Sequence, residues 1–184
     1  NVESLFGLMD EAITLLQTEA ELSYVEALSE TLENLSFEGK AQQVEGLPSN
    51  EAVERLNSLY KKMNLEALDK EIIRKSIQLI FIKATKEDKL QMNHQMTPDT
   101  IAYLIAYFIG EIKKDKTEKL HVSDLAAGTG NLLNIVLAHL ASRGNEVTAE
   151  AVDNDDLLIS VAANSGSLMG LSEKIHYTHS DSLQ

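Results

Sequence analysis

The sequence predicts two fold classes in series: an all-α module over residues 1–92, then a Rossmann-like α/β unit over residues 93–184. The first rests on apolar residues recurring every three or four positions, with polar residues between them. The second rests on the order strand, helix, strand, helix, strand, which demands a parallel sheet with right-handed crossovers. A glycine turn directly after the first of those strands is the third observation.

In the helical module, Leu5, Leu8, Met9, Ala12, Leu15 and Leu16 form one stripe, and Leu22, Val25, Leu28, Leu32 and Leu35 form a second. Turns are expected at Glu38-Gly39-Lys40 and at Gly46-Leu47-Pro48-Ser49-Asn50, where Ser49 or Asn50 can accept from the free N–H groups of the next helix. That helix carries Val53, Leu56, Leu59, Tyr60 and Met63. Asn64 is read as the cap of a fourth, carrying Leu65, Leu68, Ile72, Ile73, Leu79, Ile80 and Ile82. Four amphipathic helices with short turns make a bundle-like module. Nothing in it has catalytic spacing, so packing, self-association or binding of a protein partner is its expected role.

The second half opens on Thr97-Pro98, with Thr expected to cap and Pro to take the first helical position. The helix that follows, Ile101 to Ile112, is apolar nearly all round, which predicts burial on more than one side. Tyr103, Tyr107 and Phe108 are accordingly placed in the core. A strand is expected over Leu120–Leu125, a helix carrying Leu132 to Leu140 that ends at Arg143-Gly144-Asn145, and a strand over Val147–Val152. A helix with Leu157, Leu158, Val161, Ala162 and Leu168 follows, with Asp155 and Asp156 suited to its positive end. A third strand over Lys174–Thr178 ends at Ser180-Asp181.

Composition removes several classes of function. Hydrophobic residues are 43% and charged residues 24%, which is ordinary for a globular chain and rules out one that is mainly disordered. No cysteine is present, so disulfide scaffolds, thiolate zinc sites and cysteine nucleophiles are excluded. The longest apolar run, Ile101 to Ile109, falls well short of the roughly 18 residues that span a bilayer. No membrane partner is expected. The opening Asn1-Val2-Glu3-Ser4 has neither an initiating Met nor a basic n-region, so the start reads as trimmed and the location as cytoplasmic. Net charge is −13, which disfavours the chain as a whole as a nucleic-acid surface. Residues 1–60 hold a net −10 and residues 90–184 a net −6, whereas residues 61–89 hold +3, read as a solvated helix face. The five histidines show no i, i+4 helical pair. His121 and His176 fall on strands, His139 on a helix, and His94 and His179 in loops, so no metal site is expected.

The chemistry concentrates in Asp124-Leu125-Ala126-Ala127-Gly128-Thr129-Gly130-Asn131, at the carboxyl end of the first strand, where open α/β sheets bind ligands. Gly128 and Gly130 allow a sharp turn and let a ligand approach the backbone. Asp153 and Asn154 stand at the end of the second strand, and Asp181 with Ser182 at the end of the third. A dinucleotide fingerprint would need a third glycine where Leu133 stands, and no Gly-Lys-Ser/Thr occurs, so neither a dinucleotide nor a P-loop site is indicated. The turn lacks basic residues and is ringed by carboxylates. A cationic nucleoside suits it better than a pyrophosphate: Asp153 accepting from ribose hydroxyls, Asp181 from an exocyclic amine, Asp124 facing an ammonium. S-adenosyl-L-methionine is such a ligand. Thr129 and Asn131 are expected to act as much through backbone N–H groups as through side chains.

Asp124-Leu-Ala-Ala-Gly-Thr-Gly-Asn131 resembles motif I of class I S-adenosylmethionine-dependent methyltransferases, in the variant of N6-adenine DNA methylases and type I modification subunits. Gln95-Met96-Thr97-Pro98-Asp99-Thr100-Ile101 resembles their motif X, Ala151-Val152-Asp153-Asn154 their motif II and Ser180-Asp181-Ser182 their motif III. The combination looks most like adenine-specific methylase-like members from Gram-positive bacteria. The resemblance implies a class I methyltransferase core with its first three parallel strands present. It also implies cofactor contacts from Met96, Thr97, Asp124, Ala126, Ala127, Gly128, Thr129, Gly130, Asn131, Asp153, Asn154, Asp181 and Ser182, and adenine in DNA as methyl acceptor. The family's Asn/Asp-Pro-Pro-Tyr/Phe motif, which holds the target amine, is absent: the prolines are Pro48 and Pro98. The expectation is therefore a chain that stops short of the catalytic motif, with catalytic residues and DNA contacts downstream of Gln184. Two rival readings are a cofactor-sensing or scaffold protein without activity, and a nucleotide-dependent oxidoreductase.

Overall fold

In the computed structural model, residues 1–90 and 96–181 are described. His94, Gln95 and Ser182, each given a place in the sequence reading, lie outside them. The chain divides into two compact units, one of Asn1–Gln95 with Ser167–Met169, the other of Met96–Gly166 with Gly170–Gln184.

The helical unit contains α1 (Val2–Ala20), α2 (Tyr24–Ser36), α3 (Asn50–Met63), a 3₁₀ turn at Leu65–Ala67 and α4 (Lys70–Glu87). Its core follows the stripes read from the sequence in α1 and α2, with Leu5, Met9 and Leu16 from the first and Leu28 and Leu32 from the second. In α4 Ile73 and Ile80 are buried as read, but Leu79 and Ile82 are exposed, because the buried face runs through Ile73, Ile77, Ile80, Phe81 and Ala84 at three- and four-residue spacing. Each helix start is capped by a side chain. Asn1 accepts from Ser4 N–H, Ser49 from Ala52 N–H, and Ser23 forms a capping box with Glu26. The cap of α4 corrects the sequence reading. Asn64 ends α3 in the left-handed region (φ 46°), and Asp69 starts α4 by accepting from Glu71 N–H at 2.7 Å. An Asn tolerates positive φ at a helix end as readily as it caps a start, and the sequence shows only that it sits between two helices.

The α/β unit contains α5 (Asp99–Ile112), β1 (Leu120–Asp124), α6 (Asn131–Ser142), β2 (Val147–Asp153), α7 (Asp156–Leu168) and β3 (Ile175–His179). The strands pair in parallel in the order β1-β2-β3. Strand residues of one parity, among them Leu120, Val147, Ala149, Ala151 and Ile175, join Leu133, Leu137 and Leu140 of α6 in one core. The other parity carries His121, Ser123, Thr148 and His176, all exposed. His179 closes β3 and does not lie in a loop, because the strand runs one residue further than its apolar pattern.

Helix α5 departs from expectation twice. It begins at Asp99 with Pro98 as the cap residue, and no side chain caps it; Thr97 lies ahead of the helix. It also buries one face only. Ala102, Ala106 and Gly110, spaced by four, form a narrow strip of small residues through which α5 packs on α6. Arg143 lies against Gly110, where a Cβ would stand 2.5 Å from its Nη1, and donates to Lys113 O at 3.2 Å. Tyr103, Tyr107 and Phe108, expected in the core, are about half exposed, as are Ile101 and Leu104. The apolar pattern marks surface suited to burial; it does not supply the element that covers it. Among the described residues, no helix is long and apolar enough to cross a membrane.

Candidate functional site

The carboxyl ends of the three strands form one stepped edge. Asp124 pairs with Ala151, so Asp153 extends two residues beyond it; Asp153 pairs with His179, so Asp181 extends two residues beyond that. Ser180 N–H donates to Asp153 O at 2.9 Å, and Ala127 N–H donates to Val152 O at 3.0 Å, which carries the pairing past the formal strand ends. The acids read from the sequence are therefore brought to one side of the sheet.

The turn between β1 and α6 is built by glycine geometry. Gly128 (φ 54°) and Gly130 (φ 77°) adopt left-handed conformations that cost a residue with a Cβ, and a β-branched one most of all. At Gly130 a Cβ would also stand 3.3 Å from Ala162 Cβ, so α7 presses the turn from one side. At Gly128 a Cβ would meet nothing within 4 Å, which leaves the backbone open to approach. Gly130 N–H donates to Ala127 O at 2.8 Å and closes the turn.

Asp153 is the centre of this arrangement. Its Oδ2 accepts from Gly128 N–H at 2.7 Å and its Oδ1 from Asp155 N–H at 2.9 Å. Both oxygens are thereby aimed, and a carboxylate with about four acceptor positions keeps capacity for hydroxyl donors. Asp155 caps α7 by accepting from Leu158 N–H at 3.0 Å, as its place ahead of the helix predicts. Asp124 accepts from Ala126 N–H at 3.2 Å. Burial pushes its carboxyl above the usual range and the neighbouring Asp153 charge adds to this, while the Ala126 N–H opposes them. An edge carrying two facing carboxylates attracts cationic groups and hydroxyl or amine donors, and repels phosphates.

Of the other residues in the reading, Ala126 is exposed, Ala127 is buried, and Met96 and Thr97 are half-buried directly ahead of α5. Asn154 is exposed, its carbonyl 3.1 Å from His179 Nε2, and Asp181 is exposed. Thr129 and Asn131 are both buried. Among the described residues, the Thr129 hydroxyl has no hydrogen-bond partner, and neither does Asn134 Oδ1 in the first turn of α6. Asn131 Nδ2 donates to Asp99 Oδ1 at 3.2 Å. Asp99 and Asn134, which the sequence reading did not name as candidates, lie beside the turn. Their signal in the sequence is slight: a polar residue in the first turn of an otherwise apolar helix. Among the described residues, no group of three or more His, Asp or Glu could hold a metal ion.

Taken together, the chain is an N-terminal helical domain followed by three parallel strands with their helices, which match part of a class I methyltransferase fold. The solved structure that shows this comes from Listeria monocytogenes and carries the provisional description of a class I S-adenosylmethionine-dependent methyltransferase; it is 38% identical, with a TM-score of 0.85, over 100% of this chain and 54% of that one. The chain is also a homologue of the uncharacterized protein YtxK of Bacillus subtilis (strain 168), 34% identical over all 184 residues and 54% of the relative. Residues 3–85 match the YtxK N-terminal helical domain. The chain thus spans about half the length of the relatives it matches.

Proposed function

We propose that the carboxyl edge of this sheet binds S-adenosyl-L-methionine, and that the protein serves methyl transfer. The observation that carries the reading is Asp153: a carboxylate at the end of β2, aimed by Gly128 and Asp155 N–H groups, beside a glycine turn with open space over Gly128. The donor set fits the group. Asp153 would accept from the ribose hydroxyls, Asp181 with Asn154 would meet the adenine, and Asp124 with Met96, Thr97 and the turn Ala126–Asn131 would hold the methionine end. Bound there, the sulfonium supplies an activated methyl group; the contribution of these residues is binding and orientation.

The finer reading is transfer to an exocyclic amine, with the N6 of adenine in DNA as acceptor. It is supported by the resemblance of motifs X and I to adenine methylases. The acceptor-binding motif of those enzymes is absent from these residues. A second reading, cofactor binding without catalysis, draws support from the net charge of −13, since contact with DNA favours a basic cleft.

Calorimetric titration with S-adenosylhomocysteine and with NADH tests the cofactor reading: binding of the first and not the second is expected, and the reverse would support the oxidoreductase reading. Asp153→Ala should weaken S-adenosylhomocysteine by about 100-fold, the loss of two charge-assisted hydrogen bonds. Methylation assays on DNA with a full-length relative separate the enzyme from the silent binder.

A further inference from the structure

The glycine turn is held by three neighbours, and one of them, Asp99, has no role in the proposed cofactor site. Asp153 fixes Gly128 through its N–H, and Ala162 abuts Gly130. On the remaining side Asn131, the first residue of α6, is only 6% exposed, and its Nδ2 reaches Asp99 Oδ1 at 3.2 Å. Asp99 is the first residue of α5, where a carboxylate also complements the helix dipole. Gly130, the cap residue of α6, has no side chain to cap it. The Asp99–Asn131 bond therefore joins the starts of two helices that are 32 residues apart in sequence. It ties Met96 and Thr97, immediately ahead of Asp99, to the turn that carries Gly128.

We propose that Asp99 is a positioning residue for the cofactor site: through Asn131 it locks the start of α5 to the start of α6 and holds the two loop segments in register for the methionine end of the ligand. This rests on the cofactor reading given above. Asp99 acts through Asn131 and need not touch the ligand. A carboxylate is suited to the task because it accepts from a buried amide and faces a helix N-terminus at the same time.

The test is a donor–acceptor exchange read by S-adenosylhomocysteine affinity, with thermal stability recorded for every variant. Asp99→Ala should weaken binding by about tenfold, the size of one hydrogen bond to a charged group. Asp99→Asn should stay within about threefold of wild type, because its amide oxygen still accepts. Asn131→Asp alone should bind poorly, since it sets two carboxylates against each other. The double variant D99N/N131D should bind at least about tenfold more tightly than Asn131→Asp alone, with donor and acceptor reversed. A purely structural role would lower the melting temperature without this pattern of loss and rescue in affinity. Wild-type binding with unchanged affinity in Asp99→Ala, or no rescue in the exchanged pair, overturns the proposal. Failure of the wild-type chain to bind overturns the cofactor reading itself.

Discussion

The two units treat their buried polar groups in opposite ways. In the helical unit the polar atoms close on each other. Asp88 accepts from Tyr24 and Val25 N–H at 3.0 and 2.7 Å, anchoring the start of α2 to the end of α4. Asp10 accepts from the Tyr24 hydroxyl at 2.6 Å and from Lys83 at 2.7 Å, and the buried Arg74 pairs with Glu71. The α/β unit holds every buried side-chain polar atom that lacks a partner among the described residues: Thr129, Asn134, Arg143 Nη1, Asn145 Oδ1, Ser165 and Tyr177. It also holds the facing carboxylates Asp124 and Asp153. Of these, Thr129 and Asn134 lie beside the glycine turn at the carboxyl edge, whereas Arg143 and Asn145 lie at the far end of α6, ahead of β2.

The largest expected effect breaks the binding side of this contrast. Gly130→Val forces a β-branched residue to φ 77° and drives its Cβ into Ala162. It should destabilise the α/β unit by about 2–4 kcal/mol and remove measurable S-adenosylhomocysteine binding, while amide protection in α1–α4 is unchanged. Next comes the scaffold side. Asp88→Ala orphans two backbone donors at the start of α2 and should cost about 2 kcal/mol, read in denaturant unfolding, with ligand affinity unchanged.

Asp124→Asn should move the two properties in opposite directions. The folded state raises the Asp124 pKa, so the stability this group contributes is present below the usual aspartate value of about 4 and is lost as pH rises through the raised one. The ionised carboxylate therefore costs stability at neutral pH. The variant should melt higher than wild type at pH 7 by about 1–3 °C, match it below about pH 4, and bind S-adenosylhomocysteine more weakly. The smallest effect concerns Tyr177, whose buried hydroxyl has no partner and is pushed up to about 12 in pKa by burial alone. It stands 2.0 Å from where a Gly166 Cβ would be, against the face of α7. Tyr177→Phe should be neutral or stabilising by about 1 kcal/mol in thermal unfolding, and it should soften the damage of Gly166→Ala.

The strands and the glycine turn were legible because short β-type runs ending in Asp124 and Asp153 leave few alternatives once the order of elements is fixed. The caps were half legible: Ser49 could be named, yet Asn64 and Asp69 both stand between helices and only backbone geometry separates them. Helix α5 was misread because periodicity reports how apolar a face is, and Phe108 and Tyr107 are apolar whether or not a neighbour covers them. The Asp99–Asn131 link was illegible for a different reason. It is a tertiary bond between two helix starts, and each residue alone looks like an ordinary first-turn polar group.

The central claim is that the carboxyl edge of the α/β unit is the cofactor site, and titration with S-adenosylhomocysteine followed by backbone amide shifts tests it residue by residue. The account predicts saturable shifts confined to residues 96–99, 124–131, 153–155 and 180–181, with the amides of α1–α4 unmoved. Absence of shifts at saturating ligand, or shifts centred elsewhere in the chain, would contradict it.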